Sequence, residues 1–344
     1  MDLGANAYWI REIASRRITQ HELNVKITTR IIVALAIATV VIVTAILTAP
    51  VFVATGVLLI TTSTVQTLLV PLSAARRAET VGWLFLFGRV VAIALFVGQT
   101  AIAVRPGLAL WTSLAVGDVA LAVCALTVTP APSRLRIGVR TLSNPWAGAR
   151  WYSLSTLSTS AQQLDLPIVG FCAGPTAAGI YGGVNRWTQP MMLIIGAFAS
   201  AAAPFLAAES HLRDLRWQIL RASWILAAAV ALAIGVIFTA PWLVPFLLGD
   251  AFASSAAVLQ WLAGGMILNA IAQPLIVALQ SRRFDHVTAI ILLVSVLVQL
   301  VVVAVLAPAL GALSAGIGFF TSQVLQTTSC IAAIVWWRRN RLRE

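Results

Sequence analysis

Long apolar runs, each interrupted by only a few polar residues, fill the chain from about residue 30 almost to its end. Ten can be separated, at about 30–49, 50–72, 81–104, 107–129, 151–172, 175–206, 222–248, 253–280, 286–307 and 310–337. A hydrocarbon core of about 30 Å is crossed by roughly 20 apolar residues in a helix, and the backbone polar groups within it must be satisfied inside the segment. The pattern predicts an all-α, polytopic membrane protein of about 10 transmembrane helices. The sixth run exceeds one span, so its last turns are expected to emerge on the cytoplasmic side.

Cations orient the helices. Arg11, Arg16, Arg17, Lys26 and Arg30 precede the first run, and Arg76 and Arg77 follow the second. Arg134, Arg136, Arg140 and Arg150 follow the fourth, and Arg213, Arg216 and Arg221 the sixth. Arg282 and Arg283 follow the eighth; Arg338, Arg339, Arg341 and Arg343 follow the tenth. These alternate segments hold 20 of the 23 lysines and arginines. Positive charge is retained on the cytoplasmic side, so both termini are expected there.

Composition supports this class. Charged residues make up 10% of the chain and hydrophobic residues 60%, with a mean hydropathy of +0.94; a soluble domain carries about 25% charged residues. The net charge of +12 is placed as a topology signal and a contact for membrane lipids, and predicts no nucleic-acid partner. Cys124, Cys172 and Cys330 each fall inside an apolar run, and His21, His211 and His286 are scattered, so no metal site or disulfide framework is expected. There is no phosphate-cradling glycine loop and no nucleophile elbow. The loops on the side opposite the cations are a few residues long, too short for the catalytic domain of a membrane glycosyltransferase, ligase or polymerase. The chain is not expected to be an enzyme.

An internal repeat is visible. Gln66–Leu72 with Arg76, and Gln273–Leu279 with Arg283, share the pattern Q-x-L-[IL]-V-x-L-x-x-x-R; Pro106-Gly107-Leu108 and Pro308-Ala309-Leu310 follow at nearly the same offset. Duplicated halves are common among secondary transporters, whose bundles rock around a shared site. The predicted organisation is an incomplete N-terminal helical lobe at 1–129, a cytoplasmic linker at 130–150 and a C-terminal six-helix lobe at 151–344, two pseudo-repeated bundles. Extending the repeat backwards places the partner of Trp151 about fifty residues before Met1, so a first helix and most of a second are expected to be missing, with 1–13 as a stub.

Asp165–Phe171 (DLPIVGF), Ala178–Tyr181 (AGIY), Asn185-Arg186 and Pro190 resemble the seventh and eighth helices of bacterial polysaccharide exporters. Leu248–Phe252 (LGDAF) with Ala256–Leu259 resembles their ninth-to-tenth helix junction, and Pro308–Ala312 with Ala315-Gly316 resembles the entry to their last helix. These are the lipid-linked oligosaccharide flippases of the multidrug/oligosaccharidyl-lipid/polysaccharide exporter (MOP) superfamily. The resemblance implies 12 or more helices in a complete protein and a place in the bacterial inner (plasma) membrane. It also implies a lipid-linked glycan substrate, with a polysaccharide polymerase and glycosyltransferases as partners. The alternatives are a drug or small-molecule exporter of the same superfamily, or a truncated form without transport activity.

Ionisable groups within a span are costly unless paired or hydrated. Four occur here: Arg89, Asp118, Asp165 and Arg186. Ser155, Ser158, Gln162 and Asp165 share one face of the fifth span, and Tyr181, Asn185 and Gln189 follow at i+4 steps on the sixth, beside Arg186. Arg186 is the expected contact for a pyrophosphate, because guanidinium offers phosphate a rigid donor fork and keeps its charge. Asp165 is the expected link to a coupling ion, H+ or Na+, with no other cofactor. Ser155, Ser158, Gln162, Asn185 and Gln189 complete the substrate-binding set. The competing expectation makes Asp165–Arg186 a permanent packing pair; Arg89–Asp118 is expected to be a secondary intramembrane charge pair. Trp9, Trp111, Trp151, Trp242, Trp336 and Trp337 sit near span ends, where interfacial anchors belong.

Overall fold

The computed structural model describes residues 4–15, 17–48, 52–75, 77–129, 142–208 and 212–341. Arg16, Arg76, Arg134, Arg136, Arg140, His211, Arg343 and the linker residues 130–141 lie outside these. The chain divides into two compact units, Met1–Arg150 and Trp151–Glu344. The first contains α1 (Ala5–Ala14), α2 (Gln20–Thr48), α3 (Val53–Leu68), α4 (Val70–Ala74), α5 (Ala78–Ala101) and α6 (Pro106–Val128). At the boundary begins α7 (Arg150–Ala161), followed by α8 (Asp165–Ala173), α9 (Pro175–Ala208), α10 (Leu212–Leu248), α11 (Ser255–Ser281), α12 (Asp285–Leu310) and α13 (Leu313–Arg341). No strand occurs among the described residues. Among the described residues, eight helices are long and apolar enough to cross a membrane. The protein is an all-α polytopic membrane protein.

The described part of each of the ten apolar runs is mostly helical, but the fifth and sixth are not among those eight. The fifth is broken: α7 ends at Ala161, Gln162–Leu164 forms a 3-10 turn, and α8 begins at Asp165. Pro167 supplies a reason. It has no N–H to offer the carbonyl four residues earlier, that of Gln163, so the α-helical ladder fails there. Pro71 acts alike at the α3–α4 junction, leaving Thr67 without its α-helical donor. Elsewhere local chemistry sets the ends. At the start of α2 the Thr19 N–H donates to Glu22 Oε2 at 3.0 Å and the Glu22 N–H to Thr19 Oγ1 at 3.3 Å, a reciprocal capping box. Between α8 and α9, Gly174 adopts φ +88°, open to glycine at little cost.

Helix association in lipid gains little from hydrophobicity and depends on close approach at small residues. In the second unit α11 packs against α9, α10 and α13. Glycines face across the α11–α13 contact from both sides: a Cβ on Gly265 would lie 2.5 Å from Phe319, and one on Gly316 would lie 2.9 Å from the Trp261 Cβ. In the first unit Gly88 and Gly117 do the same for α5 and α6. Apolar side chains cover the outside as well: Phe171, Phe246 and Trp242 are almost wholly exposed, as expected of lipid-facing positions. Trp9 departs from the expected anchoring role. It is fully buried with Ala5, Leu23, Ile27 and Val70, beneath the Arg30 guanidinium, because α1 folds back onto α4 and takes Trp9 into the unit's core.

Candidate functional site

The second unit is organised around one buried carboxyl group. Asp165 opens α8 and is 5% exposed. Its Oδ1 accepts the Leu166 N–H at 2.6 Å, while Oδ2 accepts the Tyr181 hydroxyl at 2.5 Å and the Gln299 amide at 3.2 Å. Gln299 Oε1 in turn accepts the Ser322 hydroxyl at 3.1 Å and lies 3.5 Å from Gln162 Nε2. Asp165 thereby ties together α8, α9 and α12, and Gln299 extends the network to α13. Tyr181, Gln299 and Ser322 are also buried. The amphipathic face of the fifth span points to Asp165 and Gln162. It does not reveal Gln299, which the sequence presents only as a polar residue in an apolar helix, with interhelical bonding the natural reading.

Arg186 is not part of this network. It is exposed, and among the described residues no hydrogen bond or ion pair engages it. The expected Asp165–Arg186 pair is therefore not formed, and helix geometry explains why. Each i+4 step turns about 40° around a helix of 3.6 residues per turn, so Tyr181, Asn185 and Gln189 wind from buried through half-buried to exposed. Arg186 lies about 140° from Tyr181 and follows the exposed side. The seven residues expected to meet substrate thus separate. Arg186 and Gln189 are exposed, Asn185 and Gln162 half-buried, and Ser155, Ser158 and Asp165 buried. Ser155 and Ser158 donate within their own helix, to Trp151 O at 3.0 Å and Leu154 O at 2.8 Å.

In the first unit the expected charge pair is present. Arg89 Nη2 stands 3.5 Å from Asp118 Oδ1, and the Thr62 hydroxyl donates to Asp118 Oδ2 at 2.7 Å. Asp118 is buried, whereas the Arg89 side chain is 47% exposed. In both units the intramembrane carboxylate is held inside by hydroxyl or amide donors and the arginine points outward.

No family model matches the chain, and no curated protein matches it. Solved structures do. A multidrug resistance MATE family transporter of the MOP superfamily, in an outward-facing conformation, superposes with a TM-score of 0.73 at 16% identity, over 98% of this chain and 82% of its own. A MATE structure in the bent conformation gives 0.70 at 16% identity with the same coverage. A MOP superfamily transporter from Pyrococcus furiosus, for which the reverse polarity of the binding pocket suggests a different function, gives 0.67 at 14% identity over 98% and 82%. The chain has the fold of MOP-superfamily transporters.

Proposed function

We propose that the chain is a transporter that carries an anionic, lipid-linked substrate across the bacterial inner membrane by alternating access. The substrate class is a polyprenyl-pyrophosphate-linked oligosaccharide, moved from the inner to the outer leaflet during cell-surface polysaccharide synthesis. Glycosyltransferases would supply it and a polysaccharide polymerase would consume it. One observation carries this reading: the mid-span charge left open in the second unit is cationic. Arg186 is exposed and unengaged, whereas Asp165 is buried under three donors. Asp118 is likewise enclosed, and no other acidic residue falls mid-span. An acidic site for cationic drugs would have to be built on Asp118 or Asp165, both enclosed here. In the Pyrococcus furiosus transporter of similar fold, the reverse polarity of the binding pocket suggests a different function. Asn185 and Gln189, next to Arg186 along α9, supply amide groups for sugar hydroxyls. The Asp165 cluster is the candidate station for the coupling ion, H+ or Na+, since its side-chain donors on two other helices couple its occupancy to helix packing.

The second reading, a drug or small-molecule exporter, is favoured by the multidrug transporters among the similar folds. Replacing Arg186 with Gln in cells that depend on this protein for polysaccharide export separates the two. Export is expected to fall at least about tenfold at normal protein level, the loss of one charge-assisted phosphate contact. Unchanged export would remove Arg186 as the phosphate contact, and drug efflux lost in its place would favour the second reading.

A further inference from the structure

The first unit contains an open cavity of about 540 Å³ at the basic end of α2. Tyr8 of α1, Arg17 and Ile18 between the helices, His21 and Lys26 of α2, and Leu142 line it. Its depth can be placed from the chain. Lys26 precedes Ile31, where the apolar run of α2 takes over, by five residues, about 7.5 Å of helix. The polar headgroup layer on each side of a bilayer is about 5–8 Å thick, so the cavity falls at headgroup level.

Its charge balance is set by what its two carboxylates already do. Glu12 receives Arg11 Nε at 3.1 Å and Nη2 at 2.9 Å. Glu22 is committed to the capping box with Thr19. Arg17 is exposed, and Lys26 Nζ stands 5.7 Å from the centre of the Tyr8 ring with only a 3.4 Å contact to Ala147 O. Among the described residues, Arg17 and Lys26 are cations of the lining that no carboxylate pairs, while Glu12 is taken by Arg11. Ile18, Val25 and the exposed Leu142 add an apolar side to the wall. That combination suits an acceptor-rich anion joined to hydrocarbon better than a free ion.

We propose that this cavity holds the phosphate of an anionic phospholipid headgroup, with Arg17 and Lys26 as its cationic contacts and Ile18, Val25 and Leu142 against its glycerol ester region. Such a site would anchor α1 and the start of α2 to the leaflet, whatever the transported substrate is.

The test is native mass spectrometry of the full chain in detergent, titrated with phosphatidylglycerol or phosphatidylcholine. The wild type is expected to retain phosphatidylglycerol preferentially. Each lost cation should lower that preference roughly fivefold, so Arg17→Gln/Lys26→Gln should lower it about 25-fold. Arg17→Gln alone, at an exposed position, gives the same readout at smaller amplitude should the double variant fail to accumulate. Arg105→Gln, a cation outside the cavity, should leave the preference unchanged. Millimolar glycerol phosphate should not displace the bound lipid. The proposal is overturned if the cavity variants keep the wild-type preference, if Arg105→Gln lowers it equally, or if soluble phosphate displaces the lipid.

Discussion

Tyr181→Phe removes one hydroxyl and nothing else, at a point where a single oxygen holds three helices together. Asp165 Oδ2 accepts from Tyr181 of α9 at 2.5 Å and from Gln299 of α12 at 3.2 Å. Interhelical hydrogen bonds within membranes average about 0.6 kcal/mol and reach about 1.7. The Tyr181 bond belongs near the upper limit, because it is short, buried at both ends and made to a carboxyl group. Tyr181→Phe should therefore destabilise the folded protein by about 1.5 kcal/mol, and Gln299→Leu, with the longer bond, by about 1 kcal/mol. Because both donors share Oδ2, the double variant should depart from additivity by about 0.5 kcal/mol or more. Ser158→Ala serves as control: its hydroxyl donates within its own helix, so the loss should stay below about 0.5 kcal/mol. Reversible unfolding by a denaturing detergent, followed by circular dichroism, measures all four. Additive single losses, each below about 0.3 kcal/mol, would refute Asp165 as the tie between α8, α9 and α12.

Further tests follow from the packing, the charges and the topology. A Cβ at position 117 would lie 2.6 Å from Gly88 O and 2.9 Å from the Ala92 Cβ, whereas one at position 98 meets no atom within 4 Å. Gly117→Ala should therefore cost about 1–3 kcal/mol and Gly98→Ala should stabilise by up to about 1 kcal/mol, both read in the same unfolding assay. Thr62→Val, which strips a 2.7 Å donor from buried Asp118, should cost about 1–1.5 kcal/mol. Arg89→Gln, a half-exposed partner at 3.5 Å, should cost less than about 1 kcal/mol; the reverse order would contradict the assignment of Thr62 as the main support. In a cysteine-free background, Arg105→Cys should react with an impermeant maleimide from outside the cell and Arg283→Cys only after permeabilisation. The opposite labelling would invert the expected topology.

The ten apolar runs were legible because length and hydropathy alone decide what can lie in a bilayer, and the described part of each is mostly helix. The interruption at Gln162–Leu164 was written in Pro167, yet a run of apolar residues conceals a lost hydrogen bond. Asp165 and Arg186 illustrate a different limit. Rise per residue places both at similar depth, but partnership depends on rotation about the helix axis, and Arg186 lies on the exposed side of α9 while Tyr181 turns inward. Gln299 shows the converse. It is one of several isolated amides in second-unit helices, and only the packing of α12 against α8 selects it as the residue that meets Asp165. Glycine pairs such as Gly88 and Gly117 could be suspected as close contacts, but their partners follow only from the fold.

We propose that the exposed Arg186 makes the chain a carrier of anions. The most direct test is transport by the purified chain in liposomes, comparing a fluorescent polyprenyl-pyrophosphate-linked oligosaccharide with a lipophilic cationic dye. Inward-to-outward movement of the pyrophosphate-linked glycan, lost in Arg186→Gln and largely retained in Arg186→Lys, is the expected result. Transport of the cationic dye instead, undiminished or enhanced by Arg186→Gln, would contradict it.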